Sequence, residues 1–271
     1  MAAAAMVMGC RPTEAAATKA QTGGGEQAAS AAWSCGAVHG PATLTRALGH
    51  GARLKLGAVA DTNGAAPATL ANLTRLGGVF AGEHVDAVVA LGDLGRTEDE
   101  IATVLTALAR AAQAPVLALA GEREPEAAFH AAVKRAGGDV VDLVDTRLVD
   151  AGSVDIVAAP GYPFSRKGCH YSAADLDGEA RLVAGRDHAR LLVAHTPPKG
   201  RGAGAIDWAI GDVNAGDAAM ASLVERLHPA AALFAHVDEA GGRADGERVN
   251  VGTRGVIVEL DGGKATHRVL P

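Results

Sequence analysis

The sequence predicts an α/β fold with a largely parallel central sheet. From residue 54 onward, short apolar runs rich in Val, Leu and Ala alternate with longer segments of mixed charged and apolar residues. Apolar runs that do not alternate with polar residues are typical of strands buried on both faces. Strands that alternate with helices predict parallel pairing, because each crossover helix returns the chain to the same edge of the sheet.

Six apolar runs are predicted strands of this fold. They are "LKLGAVAD" at 54–61, "DAVVALGD" at 86–93, "PVLALAGE" at 115–122, "VDIVAAPG" at 154–161, "LLVAHTPP" at 191–198 and "AALFAHVD" at 231–238. The chain from 247 to the end contains three further strand-like runs joined by Gly-containing turns, at 252–255 and 261–263. This last part predicts an antiparallel meander.

Five segments between the strands have helical spacing of their apolar residues. They are "PATLANLTRLGGVFAGEH", "TEDEIATVLTALARAAQ", "EPEAAFHAAVKRAGG", "SAADLDGEARLVAGRDHA" and "GDAAMASLVERLHP". In the second segment, Thr97 and Glu100 have the spacing of a capping box, in which each side chain bonds the other residue's backbone N–H. A helix is therefore predicted to begin directly after Thr97.

The N-terminal part predicts a targeting signal and a linker. Residues 1–10, "MAAAAMVMGC", resemble a bacterial lipoprotein signal that ends at Cys10, although the usual positive residues before the apolar stretch are missing. Residues 11–50 are rich in Ala, Gly and Thr and predict a flexible tether, and the folded domain is predicted at 51–271. The chain is thus expected at the cell envelope, lipid-anchored or exported, with a cytoplasmic protein as the alternative.

Composition restricts the partners. The net charge is −6, aromatic residues make up 3% of the chain, and no Lys or Arg stripe is present. A nucleic-acid backbone is therefore not an expected partner, and a membrane is expected only through the N-terminal lipid. Of the three cysteines, Cys35 and Cys169 form a possible disulfide if the chain is exported, and are two thiols if it is not.

Polar side chains with metal-binding groups follow five of the predicted strands. Asp61 and Asn63 follow the first, Asp93 the second, Glu122 the third, and two histidines follow later strands, His195 and then His236 with Asp238. Ligands of open α/β sheets bind beyond the carboxyl ends of the strands. Carboxylates that converge on one edge repel each other unless cations lie between them. The pattern as a whole therefore predicts a metal site, whereas any single acid or amide is more often a turn former or a helix cap, and a single histidine is more often packed or at the surface.

The order of these blocks resembles that of the calcineurin-like metallophosphoesterases. "VVALGDL", "LLVAHTPPKG" and "VNVGTRG" followed by "VIVEL" are similar to blocks of that family in order and spacing. The resemblance runs from about residue 52 to the end. It implies a four-layer αββα sandwich with two mixed β-sheets.

The same blocks depart from the family pattern at several positions. Asn63 stands where the family has His, Glu122 and Arg123 stand where it has Asn and His, and Ala235 and Asp238 stand where it has Gly and His. Each altered ligand position keeps an oxygen donor. The family match therefore implies a divergent member with a changed site.

Matched position by position, the resemblance implies two divalent ions. One would be held by Asp61, Asn63, Asp93 and Asp238, and the other by Asp93, Glu122, His195 and His236. The shift from imidazole to oxygen donors favours Mn²⁺, Mg²⁺ or Ca²⁺ over Zn²⁺, with Fe also possible. Arg123 takes the place of a catalytic histidine, where it could clamp a phosphate oxygen but could not donate a proton; a surface pairing with Glu124 or Glu126 is its alternative.

Two functions follow from these residues. The first is a metal-dependent phosphoesterase that hydrolyses a small phosphomonoester or phosphodiester with water activated by two metal ions. The second is a catalytically inactive protein of the same fold that acts as a binding or structural module at the cell envelope. The fold alone does not decide between them.

Overall fold

A computed structural model describes residues 33–35, 42–46, 48–165 and 167–271. The predicted signal at 1–10 and most of the predicted tether at 11–50 lie outside the described residues and stay predictions. Two short strands are found within 11–50, at Trp33–Ser34 and Thr43–Thr45, and both pair with strands of the domain. Packed structure therefore begins before the predicted boundary at residue 51.

All five predicted helices are present, with short strands between them. The helices are α1 Pro67–Gly82, α2 Glu98–Ala112, α3 Glu126–Ala136, α4 Ala173–Leu182 and α5 Ala218–Leu227. The first nine strands are β1 Trp33–Ser34, β2 Thr43–Thr45, β3 Arg53–Val59, β4 Ala87–Leu91, β5 Val116–Leu119, β6 Val140–Asp142, β7 Leu148–Asp150, β8 Val154–Ala159 and β9 Cys169–His170. The others are β10 Ala189–Ala194, β11 Trp208–Ala209, β12 Val213–Asn214, β13 Ala231–Phe234, β14 Ala244–Asp245, β15 Arg248–Asn250, β16 Val256–Asp261 and β17 Lys264–Val269, with a 3₁₀ turn at Asp238–Ala240.

Two large mixed sheets form the centre of the domain. The first has the order β17-β16-β3-β4-β5-β6, in which β3 to β6 are parallel and β16 and β17 are antiparallel to their neighbours. The second has the order β14-β15-β13-β10-β8-β7-β2, with β15, β13, β10 and β8 parallel. The predicted sandwich of two mixed sheets is confirmed.

Three layers of apolar side chains hold the four structural layers together. Val88 of β4 packs in the core beneath α1, α2 and α3, and the next residue, Val89, packs against the second sheet. In β10, Val193 faces the first sheet while Leu192 packs beneath α4 and α5. Because neighbouring residues of a strand point to opposite faces, each unalternated apolar run supplies two cores at once.

Local signals at the helix ends agree with the sequence. The predicted capping box at α2 is present: the Thr97 hydroxyl accepts from the Glu100 backbone N–H, and the Glu100 carboxylate accepts from the Thr97 N–H.

Among the described helices, none is long and apolar enough to cross a lipid bilayer.

The predicted C-terminal meander is only partly correct. β16 and β17 form the expected antiparallel hairpin, but β15 belongs to the other sheet, where it runs parallel to β13. The chain changes sheets at Gly252, whose φ is +58° and whose carbonyl accepts from the Ala60 N–H at 3.1 Å. Strand assignment fails here because the partner of β15 is set by contacts distant in sequence.

A disulfide joins Cys35 to Cys169, with 5.4 Å between their Cα atoms and a sequence separation of 134. It fastens the short β1–β9 ladder to the domain. Closing a loop of this length lowers the entropy of the unfolded chain, an effect of about 4 to 5 kcal/mol in the chain-entropy description. The pairing left open by the sequence is therefore made in the structure.

Candidate metal centre

Five of the residues predicted from the strand ends meet at one edge of the sandwich. Asp61, Asp93 and Glu122 follow β3, β4 and β5 of the first sheet, and His195 and His236 follow β10 and β13 of the second. Both sets of strands are parallel, so their carboxyl ends face the same side. The site lies between the two sheets and takes donors from each.

Four of the predicted residues have a left-handed backbone. The φ angles are +53° for Asp61, +54° for Asn63, +52° for Asp93 and +71° for His236. Such a backbone costs a non-glycine residue roughly 1 kcal/mol or more, although Asp and Asn tolerate it best. All four residues lie at one edge of the fold, in the turns that follow three of the strands. Conformational strain that gathers in one place is a mark of a functional site.

The loops after β4 and β5 approach so closely that only glycine fits. A Cβ atom on Gly92 would lie 2.7 Å from His195 Nδ1, and one on Gly121 would lie 2.8 Å from the Asp93 backbone nitrogen and 2.8 Å from His195 Cε1. Glu124, which is fully buried, joins the same two loops. Its carboxylate accepts N–H bonds from Leu94 and Gly95 after β4 and, at 2.8 Å, from Gly121 after β5.

His195 is fully buried, and its ring orientation is fixed. Its Nδ1 lies 2.7 Å from the backbone carbonyl oxygen of Leu91, which makes that nitrogen the N–H donor and leaves Nε2 as the ligand atom. Nε2 lies 2.6 Å from Glu122 Oε2 and 3.7 Å from Asp93 Oδ1. The other oxygen of Glu122 lies 3.1 Å from Nδ1 of His236. Glu122 therefore lies between the two imidazoles, hydrogen-bonded to His195 and within ion-pair distance of His236, whose Nδ1 is buried without a hydrogen-bond partner among the described residues.

The Arg123 side chain contacts two of the predicted metal ligands, Asp93 and Asn63. The sequence had offered the neighbouring Glu124 or Glu126 as its alternative partners. Its Nε lies 2.8 Å from Asp93 Oδ2, and its terminal nitrogen donates to Asn63 Oδ1 at 2.6 Å. The backbone N–H of Arg123 also donates to Asp93 Oδ1 at 3.2 Å. The Asn63 amide is fixed from its other end, where Nδ2 donates to the Asp61 carbonyl at 2.9 Å.

The pKa values of the acids in the site are shifted in different directions: two are raised by burial, and one is lowered by a neighbouring histidine. Burial raises the pKa of Asp61 to about 7, opposed by the His195 charge and assisted by the other carboxylates. Burial likewise raises the pKa of Asp93. Burial also acts to raise the pKa of Glu122, but the charge and hydrogen bond of His195 prevail and hold it well below its usual range.

The donors fit a divalent cation. Two groups of three residues offer ligand atoms that all lie within 4.8 Å of one another, Glu122 with His195 and His236, and Asp61 with Asp93 and His195. In addition, Asp61 Oδ2 is buried and has no hydrogen-bond partner among the described residues. A buried carboxylate oxygen without a partner is costly unless a cation or water meets it. Carboxylates and imidazoles are both common ligands of divalent metal ions in proteins.

Asp238 is the predicted ligand that stands apart from these groups. It begins the 3₁₀ turn Asp238–Ala240 and is exposed, and its carboxylate belongs to neither of these two donor groups. Its charge still contributes to raising the pKa of Asp61. Its predicted role as a ligand stays a prediction.

Two residues near the centre have roles that the strand-end pattern did not supply. Tyr162 stacks on the His236 ring, with 4.3 Å between the ring centroids and 26° between the planes. Glu124 connects the loops after β4 and β5, as described above, and burial raises its pKa to about 8. The sequence signal for Glu124 was its place at the end of a polar strand-end block, while nothing around Tyr162 indicated a partner.

The chain shares its fold with solved structures of low sequence identity, one of them a dimetal phosphatase. The protein TT1561 of Thermus thermophilus matches with a TM-score of 0.59 and 16% sequence identity, over 80% of this chain and 99% of that chain. A dimetal phosphatase from Danio rerio matches with a TM-score of 0.52 and 12% identity, over 80% of this chain and 99% of that one. No protein-family model matches the chain, and no curated protein matches its sequence. The metallophosphoesterase fold implied by the strand-end blocks is thereby confirmed, in a chain of widely diverged sequence.

The close approach of the loops at Gly121 provides a test of the centre. A Gly121→Ala substitution forces Asp93 and His195 apart, and overpacking of this kind costs about 1 to 3 kcal/mol. We expect the affinity for Mn²⁺, measured by isothermal titration calorimetry, to fall by about tenfold or more. Gly138→Ala is the matched control, because a Cβ there would meet no described atom within 4 Å. Equal Mn²⁺ affinity in both variants would contradict a metal centre between these loops.

Proposed function

We propose that this protein is a divalent-metal-dependent phosphoesterase. The observation that carries the proposal is the convergence of Asp61, Asp93, Glu122, His195 and His236 from two sheets, with ligand atoms in two overlapping groups. The shared fold with a dimetal phosphatase supports the same class of reaction. Because one fold hosts many activities, the donor cluster is the stronger of the two arguments.

The chain's own residues would hold and orient the ion. His195 presents only Nε2, because Nδ1 donates to the Leu91 carbonyl, and Glu122 approaches this nitrogen with a carboxylate oxygen. A bound divalent ion supplies Lewis acidity, which lowers the pKa of a water ligand and neutralises charge on a phosphoryl oxygen. The carboxylates favour Mn²⁺, Mg²⁺ or Ca²⁺ over Zn²⁺.

Arg123 would bind the substrate phosphate. Its side chain is 39% exposed, so the guanidinium that contacts Asp93 also borders solvent and keeps N–H groups available. Guanidinium N–H groups bind phosphate oxygens well but stay protonated, so Arg123 cannot protonate a leaving group. The proposed enzyme therefore favours phosphoesters whose leaving group departs without a proton donor.

Hydrolysis of aryl phosphomonoesters and phosphodiesters tests this function. We expect turnover with added Mn²⁺, loss of turnover with EDTA, and a rate that falls steeply as the leaving group becomes more basic. Glu122→Gln removes the charge that bridges His195 and His236, and should lower kcat/KM by about a hundredfold or more, since even residues around metal ligands cost 10- to 100-fold.

Glu126→Gln is the matched control for that experiment. It makes the same chemical change at an exposed position four residues away, on the first turn of α3. We expect it to keep the wild-type rate. Activity that survives both EDTA and Glu122→Gln would exclude the metal-dependent reaction.

A second candidate is a binding module without catalytic activity. It is favoured by the internal pairing of the centre, in which Glu122 contacts both imidazoles and Arg123 contacts Asp93. These contacts let the cluster balance much of its own charge. A folded protein that binds Mn²⁺ but hydrolyses none of the aryl phosphoesters would favour this candidate.

We further propose a place at the cell envelope. The lipoprotein-like sequence before Cys10 supports it, and so does the Cys35–Cys169 disulfide, since disulfides persist mainly outside the reducing cytosol. Mass spectrometry of the protein purified from its own cell should find a diacylglyceryl group on Cys10 and no free thiol at the other two cysteines. An unmodified Cys10 with three free thiols would contradict export.

A further inference from the structure

Arg123 occupies the position of a cation within the centre. Of the four residues predicted to hold the first of two metal ions, Asp93 and Asn63 both bond the Arg123 guanidinium, at 2.8 Å and 2.6 Å. We infer that this guanidinium takes the place of that ion, so that the protein binds one divalent ion where a dimetal phosphatase of the same fold has two. The inference rests on the proposed metal-dependent function and specifies its centre.

The Asp93 carboxylate was expected to bridge two ions, but both of its oxygens contact Arg123. Its Oδ2 bonds the guanidinium Nε, and its Oδ1 accepts the Arg123 backbone N–H. Only Oδ1 also faces His195, at 3.7 Å from Nε2. One carboxylate oxygen is thus turned to a metal position, and the other is turned to the arginine.

Both ends of the Asn63 amide are also hydrogen-bonded within the protein. Its oxygen accepts from Arg123, and its nitrogen donates to the carbonyl of Asp61. Asp238, the fourth predicted ligand of the first ion, is exposed and belongs to neither donor group. Asp61 is then the single member of that set whose carboxylate still has a buried, unpartnered oxygen.

The two donor groups share one ligand atom and cannot both be filled. Each of them contains His195, whose Nδ1 donates to Leu91, so Nε2 is its one available nitrogen. An imidazole nitrogen coordinates one ion. An ion held at this nitrogen would take its further donors from among Glu122, His236, Asp61 and Asp93.

The charges of the carboxylates in the two donor groups also suit a single ion. Asp61, Asp93 and Glu122 carry three negative charges when ionised, and one divalent ion with the Arg123 guanidinium carries three positive charges. A second divalent ion beside the guanidinium would leave two positive charges in excess. Unbalanced charge in a poorly solvated site is strongly unfavourable.

Metal counting tests the inference directly. We expect wild-type protein dialysed against Mn²⁺ to keep one ion per chain by elemental analysis, with the electron paramagnetic resonance spectrum of isolated Mn²⁺. Arg123→Ala and Arg123→Gln remove the guanidinium and should raise the content to two ions per chain, with the spectrum of an exchange-coupled pair. Arg123→Lys keeps the positive charge and should stay at one ion.

Arg75→Ala is the matched control, because Arg75 is exposed on α1 and bonds Asn72 within the same helix. It removes an arginine without touching the centre and should leave one ion per chain. Two ions in the wild type, or one ion in both neutral Arg123 variants, would overturn the inference while leaving a metal-dependent enzyme. A wild type that retains no ion would overturn the proposed function as well.

Discussion

The centre depends on the repulsion among three carboxylates that the fold gathers at one edge. Asp61, Asp93 and Glu122 leave adjacent parallel strands, so the sheet that positions them also brings their negative charges together. Burial removes the water that would otherwise screen them, and the raised pKa values of Asp61 and Asp93 record the cost. Two imidazoles, one guanidinium and a divalent ion are the groups that can offset this repulsion.

The surrounding scaffold holds these charges in place by close packing. Gly92 and Gly121 let the loops after β4 and β5 touch the His195 ring, and the buried Glu124 accepts N–H bonds from both loops. The left-handed backbone at Asp61 and Asp93 turns each side chain inward directly after its strand. The apolar cores supply most of the folding free energy. This free energy offsets the cost of the left-handed backbone and of the repulsion among the carboxylates at the edge of the sheets.

The sequence predicted what depends on local pattern and missed what depends on distant contacts. The helices and the Thr97 cap followed from periodicity and spacing, and seven ligand candidates followed from the ends of strands, five of which fall in the two donor groups. The sheet that contains β15 depends on β13, and the position of the Arg123 side chain depends on Asn63, which is 60 residues away. The Cys35–Cys169 pair was left open because it depended on whether the chain is exported, and because the approach of two thiols 134 positions apart in sequence has no local signal.

We propose that this edge is a divalent-metal centre balanced by an arginine. Anomalous X-ray diffraction from crystals grown with Mn²⁺ is the decisive measurement, since it locates the ion and the side chains together. We expect one Mn²⁺ peak per chain at coordination distance from His195 Nε2 and Glu122, with Arg123 still on Asp93. A well-ordered structure with no peak beside His195 would contradict the metal centre, and a second peak in place of the guanidinium would contradict the role given to Arg123.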